Sequence, residues 1–380
     1  MKILFLTTIL PRQKRMGSEV ASQCYIDALT HLGHQVTVVG YMRQDDVFET
    51  SDQEVVVDTR YIETKKAKFY PFIWFILGLL KKLPYSAAKY YSRKYIRTVK
   101  RLIAEEEYHL VVLDHSQLGW LANYLPPKVK IISNTHNIEH ELYLDIYQQA
   151  NTLLSQWTYY REAKLIKKME NQLATIAHEV WTLTKEDAKY FASVVGETKV
   201  RVLSLPPALQ QTVNKQLHKT CDIGIIGSWL WKPSQEGLLW FLKHVYPHLP
   251  KNISIQIAGR GAQWLTDQYP QISYLGFVPD AIEFMAQAKV VAIPTLSGGG
   301  IQIKTLDAIA SGSKIVATSV ALRGIDDFPK TVEVTNEPEK FAQLLKSAIN
   351  STENLSAVND ASEWLFQRQQ NFLSELTMTI

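Results

Sequence analysis

Cysteine is scarce. Cys24 and Cys221 are the only two, far apart and in no metal-type pair, which excludes a disulfide framework and fits a reducing compartment. No apolar run approaches the roughly 20 residues that a membrane-spanning helix needs. Charge of one sign is not in excess either: the net formal charge is +4, so the overall balance gives no argument for nucleic acid as a partner. No segment repeats at the periods of solenoids or propellers. The opening MKILFLTTILP is apolar but short, and Arg12, Lys14 and Arg15 follow at once without a small-residue cleavage site, so it reads as a first strand and not as an export signal. The loop after it lacks the three spaced glycines of a dinucleotide fingerprint, and no nicotinamide site is read there. What remains is an ordinary composition, 46% hydrophobic and 21% charged, in 380 residues. That is long enough for two domains, each with its own core, in a cytoplasmic protein.

The apolar pattern then runs as strand, helix, strand, twice over. Ile3 to Thr7, Gln35 to Gly40, Leu110 to Leu113, Val129 to Ser133 and Glu179 to Leu183 are short segments rich in apolar residues, and they read as parallel strands. Helical spacing predicts helices over Val20 to Leu32, ended by Gly33, and over Thr152 to His178. Lys199 to Leu205, with Pro206 and Pro207, reads as an extended linker. The pattern restarts with strands at Asp222 to Ile226, Ile253 to Ala258, Ile272 to Leu275, Val290 to Ile293, Lys314 to Thr318 and Val332 to Val334, and helices at Leu238 to Tyr246 and Ala357 to Leu376. This predicts an α/β protein of two doubly wound halves, with domains at 1–205 and 206–350 and a final helical segment at 351–380.

The most informative stretch is VVAIPTLSGGGIQIKTLDAIASGSKIVATSVALRG, Val290 to Gly324. Gly298, Gly299 and Gly300 stand between a strand and a helix start, a setting in which backbone N–H groups approach and hold a phosphate. Lys304 and Asp307 are three apart and share a helix face. The lysine suits a diphosphate and the aspartate a ribose diol; the plainer reading is a tight loop with two solvated charges. His136 follows the strand Val129 to Ser133, and ligands of open α/β sheets bind beyond the carboxyl ends of strands. HNIEH, from His136 through Glu139 to His140, also fits an inverted zinc-peptidase motif, which requires both histidines on one helix face and a third ligand. Because His136 comes straight after a strand, it is expected to precede the helix.

These motifs resemble the donor site of family 4 glycosyltransferases, the retaining nucleotide-sugar transferases of the GT-B fold. GGGIQIKTLDA is similar to a branch reading Gly-Gly-Gly-Thr-Arg-Leu-Lys before Leu-Glu-Ala, with Asp307 on the second family glutamate, Gly299 on the first, and Gln302 where arginine is frequent. Gly227, Trp231, Pro233 and Gly237 match a further branch pattern, and HNIE matches the family's histidine followed by Asp or Asn and a glutamate. The resemblance implies two Rossmann-like domains facing across a cleft, with the last helix returning to the first. It implies His136 beside the donor sugar; Gly227, Lys232, Arg260, Val278, Gly298, Gly299, Gly300, Lys304 and Asp307 on the nucleotide donor; and Gly17 on the acceptor side. It also implies no cofactor and no metal. The alternative is a non-catalytic relative that binds a nucleotide sugar or glycan as a scaffold.

One region has no acid at all. Thr64 to Ala104 holds eleven Lys and Arg, no Asp or Glu, and many aromatics. That mixture suits an anionic membrane surface, and hence a lipid-linked or membrane-proximal glycan acceptor. It also suits single-stranded nucleic acid, ranked lower because the neighbouring motifs point to a nucleotide sugar, or two ordinary helices with aromatics inside and lysines in water.

Overall fold

Among the described residues of the computed structural model, thirteen strands, every neighbouring pair parallel, form two sheets. The structure describes residues 1–46, 49–62, 67, 69–209, 211–213, 217–351 and 355–380. Lys65, Lys66 and Lys68 of the basic stretch lie outside the described residues.

The first compact unit is Met1–Leu203 together with Glu375–Ile380. Its elements are β1 (Lys2–Ile9), α1 (Gly17–His31), β2 (Gln35–Arg43), β3 (Glu54–Arg60), α2 (Tyr70–Lys81), α3 (Tyr85–Ala88), α4 (Arg93–Glu105), β4 (Leu110–Asp114), β5 (Lys130–Asn134), α5 (Glu139–Gln148), α6 (Leu153–Ile176), β6 (Glu179–Thr182), α7 (Lys185–Val195) and β7 (Val200–Val202). The strand order is β3-β2-β1-β4-β5-β6-β7. Chain direction across the sheet therefore reverses between β1 and β4, the position at which open parallel sheets form a crevice. Ile3 through Leu6 and Val111 through Leu113 are fully buried, so the apolar runs are apolar because helices cover both faces. The buried Tyr95 hydroxyl lies 2.8 Å from both the Thr7 and Val39 carbonyl oxygens and shares its one proton between them, tying α4 to β1 and β2.

The stretch read as a linker is in part a strand. Val200 to Val202 pair with Val180 to Thr182, so β7 is the sheet edge. β3 has no counterpart in the sequence reading; it too is an edge strand, and only Val57 is buried.

The second unit is Ser204–Ser374. It contains β8 (Cys221–Ile226), α8 (Lys232–Trp240), β9 (Ile255–Ala258), α9 (Leu265–Gln268), β10 (Ile272–Gly276), α10 (Ala281–Ala286), β11 (Ala288–Ile293), α11 (Ile303–Ala310), β12 (Lys314–Ala317), β13 (Val332–Val334) and α12 (Pro338–Asn350), together with most of α13 (Leu355–Thr379). The order β10-β9-β8-β11-β12-β13 puts its switch point between β8 and β11. α8 begins six residues before the expected helix start at Leu238, with Pro233 in its first turn, where proline is tolerated, and it continues into a π-helical turn at Phe241–Val245. A Cβ on Gly237 would lie 1.8 Å from the Pro294 carbonyl oxygen. Only glycine lets α8 come that close to the end of β11, and this contact sets α8 beside the glycine-rich loop. In α13, the buried Arg368 donates from Nε to the Leu205 carbonyl at 2.8 Å and from Nη2 to that of Gly324 at 3.0 Å.

Candidate active site

At the first switch point stands a fully buried carboxylate. Asp114, the last residue of β4, accepts hydrogen bonds from Thr7 Oγ1 and Ser22 Oγ at 2.7 Å and from Asn134 Nδ2 at 2.8 Å, and lies 2.8 Å from His136 Nε2. An ionised carboxylate only accepts, so His136 must carry its proton on Nε2. Nδ1 then has no protein partner among the described residues. His115 has φ +75°, a region that non-glycine residues seldom enter. Its ring stacks on His136 with centroids 4.0 Å apart, and its Nε2 lies 3.6 Å from Asp114.

Burial works against the charge on Asp114, but His115, His136 and the hydrogen bonds from His136 and Ser22 outweigh it, and the carboxyl is held well below the usual carboxylate range. Burial and the neighbouring His136, against the pull of Asp114, push His115 down to about 4. Above that pH the His115 ring is neutral, and the hydrogen bonds from His136 and Ser22 still favour the carboxylate.

α1 and the loop before it are held by a second buried pair, Glu19 with Arg43. Glu19 also accepts from the Arg15 amide at 3.0 Å. Gly17, exposed at the start of α1, is placed by this pair.

The zinc-peptidase arrangement does not form. His136 precedes α5 and turns to Asp114, whereas the buried His140 Nδ1 lies 2.7 Å from Glu170 on α6. Glu139 accepts from Ser116 and Gln117 at 2.9 and 3.0 Å; burial, then the nearby Glu170, raise its pKa. The two histidines thus bond different carboxylates, Asp114 at the end of β4 and Glu170 on α6. Among the described residues, the His and Asp groups whose ligand atoms converge are Asp114, His115 and His136, and there Asp114 is already engaged by the donors above.

At the second switch point, the loop between β11 and α11 carries Gly298 at φ +133° and Gly300 at φ +65°, conformations that favour glycine. Among the described residues, the amides of Gly298, Gly299 and Gly300 have no protein acceptor. Gln302, the N-cap of α11, makes no capping bond with its side chain, so the helix start stays open to an anion. Thr305 anchors α11 by donating to the Ala321 carbonyl at 2.6 Å. Lys304 has no carboxylate partner among the described residues, and burial alone pushes its ammonium down to about 8. Asp307 is half-buried on the same helix.

The other expected donor residues also lie at carboxyl ends of strands, with different surroundings. The space a Cβ would take on Gly227 is filled by the indole of Trp229, 2.7 Å away. Lys232 is exposed and pairs with Glu236 at 3.6 Å. Arg260 lies over the exposed Phe277 ring, 4.6 Å from its centroid, with Val278 next in the chain. Asp114, His115, Glu236 and Phe277 have no role in the sequence reading. Glu236 takes a hydrogen bond from Ser297 at 3.4 Å, which puts a carboxylate beside the glycine loop from another helix. The signal for Asp114 was an acid closing a buried strand.

Two parallel sheets, each with polar groups gathered at its switch point, define a two-domain Rossmann-like protein of the GT-B fold. Residues 220–351 match the family model described as "Glycosyl transferases group 1". A Klebsiella pneumoniae protein, "Uncharacterized 44.6 kDa protein in cps region", is 22% identical over 94% of this chain and 93% of its own length. Among solved structures, Anabaena HepE in complex with UDP and glucose superposes with a TM-score of 0.66 at 15% identity, covering 100% of this chain and 99% of HepE. WaaG, a glycosyltransferase involved in lipopolysaccharide biosynthesis, superposes at 0.65 with 12% identity, covering 99% and 98%. The fold is that of these glycosyltransferases.

Proposed function

We propose that the protein transfers a sugar from a nucleoside diphosphate sugar to a glycan or lipid-linked acceptor, with retention at the anomeric carbon, in cell-surface polysaccharide or glycolipid synthesis at the cytoplasmic face of a membrane. The observation that carries this reading is Lys304, a desolvated cation with no carboxylate partner among the described residues, on the helix that follows a loop whose amides have no acceptor among them. The loop amides and Lys304 take the diphosphate, Asp307 takes the ribose, and His136 acts on the sugar. As the bond from the anomeric carbon to the phosphate breaks, negative charge grows on the departing diphosphate. Preorganised amides and an ammonium stabilise that charge without a metal. The UDP complex of HepE and the lipopolysaccharide role of WaaG support the donor and acceptor classes.

Gly299, where the related enzymes place a glutamate beside the donor sugar, favours a second reading: a non-catalytic subunit that binds nucleotide sugars. Incubation with a panel of nucleotide sugars, scored for slow release of free nucleotide, separates the two. Asp307→Ala is expected to weaken nucleoside diphosphate binding by about 1.5–3 kcal/mol, the range for hydrogen bonds to a charged group, as read by calorimetry. Unchanged affinity would remove the ribose role.

A further inference from the structure

The basic and aromatic stretch of the sequence resolves into helices of different character. α4 buries Tyr95, Val99 and Leu102, and its Lys94 pairs with Asp58 at 3.1 Å. α2 does the reverse. Its inner side buries only Trp74, which packs on Tyr85 with centroids 6.0 Å apart, and Gly78. Phe69, Phe72, Ile73, Ile76, Leu79 and Leu80 are exposed, Phe69, Phe72 and Leu80 by 84, 67 and 76%. Their spacing of three and four residues makes one continuous stripe, the kind a globular helix turns toward its core.

α6 adds to this surface. Arg161 reaches the Gly78 carbonyl at 3.5 Å, which brings that part of α6 to the end of α2. Trp157 and Leu154, one and two turns earlier on the same face as Arg161, are 56 and 75% exposed. At the C-terminal end of α2 a groove of about 710 Å³ is lined by Lys81, Lys82 and Lys168, with Asn123, Asn171 and Gln172 and no acid.

We propose that this face docks on a lipid bilayer bearing anionic headgroups. The apolar stripe of α2 enters the boundary between headgroups and acyl chains, and the lysine-lined groove takes a headgroup phosphate. A helix of 12 residues is about 18 Å long, short of the roughly 30 Å hydrocarbon core, so it lies in the plane of the interface. The charge selects the occupant: residues 64–104 contain no acid, and the three groove lysines complement an anionic leaflet. The inference rests on the proposed transferase reading only for its purpose, which is to bring the protein to a lipid-linked acceptor.

The test is sedimentation of the full chain with vesicles of phosphatidylcholine alone and of phosphatidylcholine mixed with phosphatidylglycerol. Binding is expected to the mixed vesicles and to weaken at high salt. Phe72→Ser and Leu80→Ser should each lower partitioning about tenfold, and Lys81→Glu and Lys82→Glu by at least about fivefold each. All four side chains are exposed, so the fold should survive. Phe72→Trp should be quenched by brominated phospholipid in the mixed vesicles. Equal recovery in the supernatant with both vesicle types would overturn the proposal. So would a stable dimer that Phe72→Ser and Leu80→Ser dissociate, which would give the face to a second copy. Vesicle binding needs no donor, so a chain that binds vesicles but turns over no nucleotide sugar would sink the transferase reading and leave the docking surface standing.

Discussion

Replacing His136 with alanine is expected to lower kcat for sugar transfer by about 100- to 1000-fold, the usual cost of losing one preorganised polar group at the reacting centre. The expectation follows from the way the ring is held. Asp114 fixes Nε2–H from one side and His115 stacks on the ring at 4.0 Å, so the imidazole has one tautomer and one orientation before any substrate arrives. Such a group stabilises a transition state without reorganising. The nucleotide is assigned to other residues, so nucleoside diphosphate affinity should change little while kcat falls. A kcat within a few-fold of wild type would show that His136 only finishes the polar cluster.

The second large effect is on stability. Asp114→Ala removes the acceptor shared by Thr7, Ser22, Asn134 and His136, all of them buried or nearly so. Each buried donor left without a partner costs about 1–3 kcal/mol. The costs do not add fully within one network, so a loss of about 3–5 kcal/mol is expected. Hydrogen exchange at the amides of β1, β4 and β5 reads it in the first unit alone. Asp114→Asn keeps one acceptor oxygen and should cost less.

The pH dependence has a definite sign. The folded carboxyl is depressed below its unfolded value. Its contribution is therefore fully present above the unfolded aspartate pKa of about 3.9 and is lost as pH falls from there toward the folded value. The gap between wild type and Asp114→Ala should be constant near neutrality and narrow below about pH 4. A gap that widened on acidification would contradict the assignment of Asp114 as the ionised centre.

The frame was legible because burial on both faces leaves an unmistakable mark. Ile3 to Leu6 and Val290 to Ile293 stand out as unbroken apolar runs, and both match strands of the structure. In the first sheet the edges were not legible, whereas β10 and β13 at the edges of the second were. β3 and β7 face water on one side, and a three-residue half-exposed strand such as Val200–Val202 looks like any extended chain. The glycine-rich loop and its helix could be read because strand, turn and helix are contiguous. The Asp114 cluster could not, because its donors come from positions 7, 22, 134 and 136 and only the strand order brings them together. At Gly227 the sequence could not show that the space a Cβ would take is filled by Trp229. α2 reads as a short apolar run in the sequence, and nothing there tells which side faces out.

The central claim is that the loop at Gly298–Gly300 and Lys304 form a seat for a nucleoside diphosphate. Calorimetry of a panel of nucleoside diphosphates across pH tests it most directly. Lys304 has been pushed down to about 8 by burial alone, and only its protonated form attracts the diphosphate. Affinity should therefore be highest below pH 8 and fall as pH rises through it. Near pH 8 binding should take up protons, seen as a dependence of the observed heat on the buffer's ionisation enthalpy, because the bound anion restores the ammonium. Lys304→Met should abolish both effects and weaken binding. Absence of binding by every nucleoside diphosphate, or equal affinity for wild type and Lys304→Met across the whole pH range, would contradict the account.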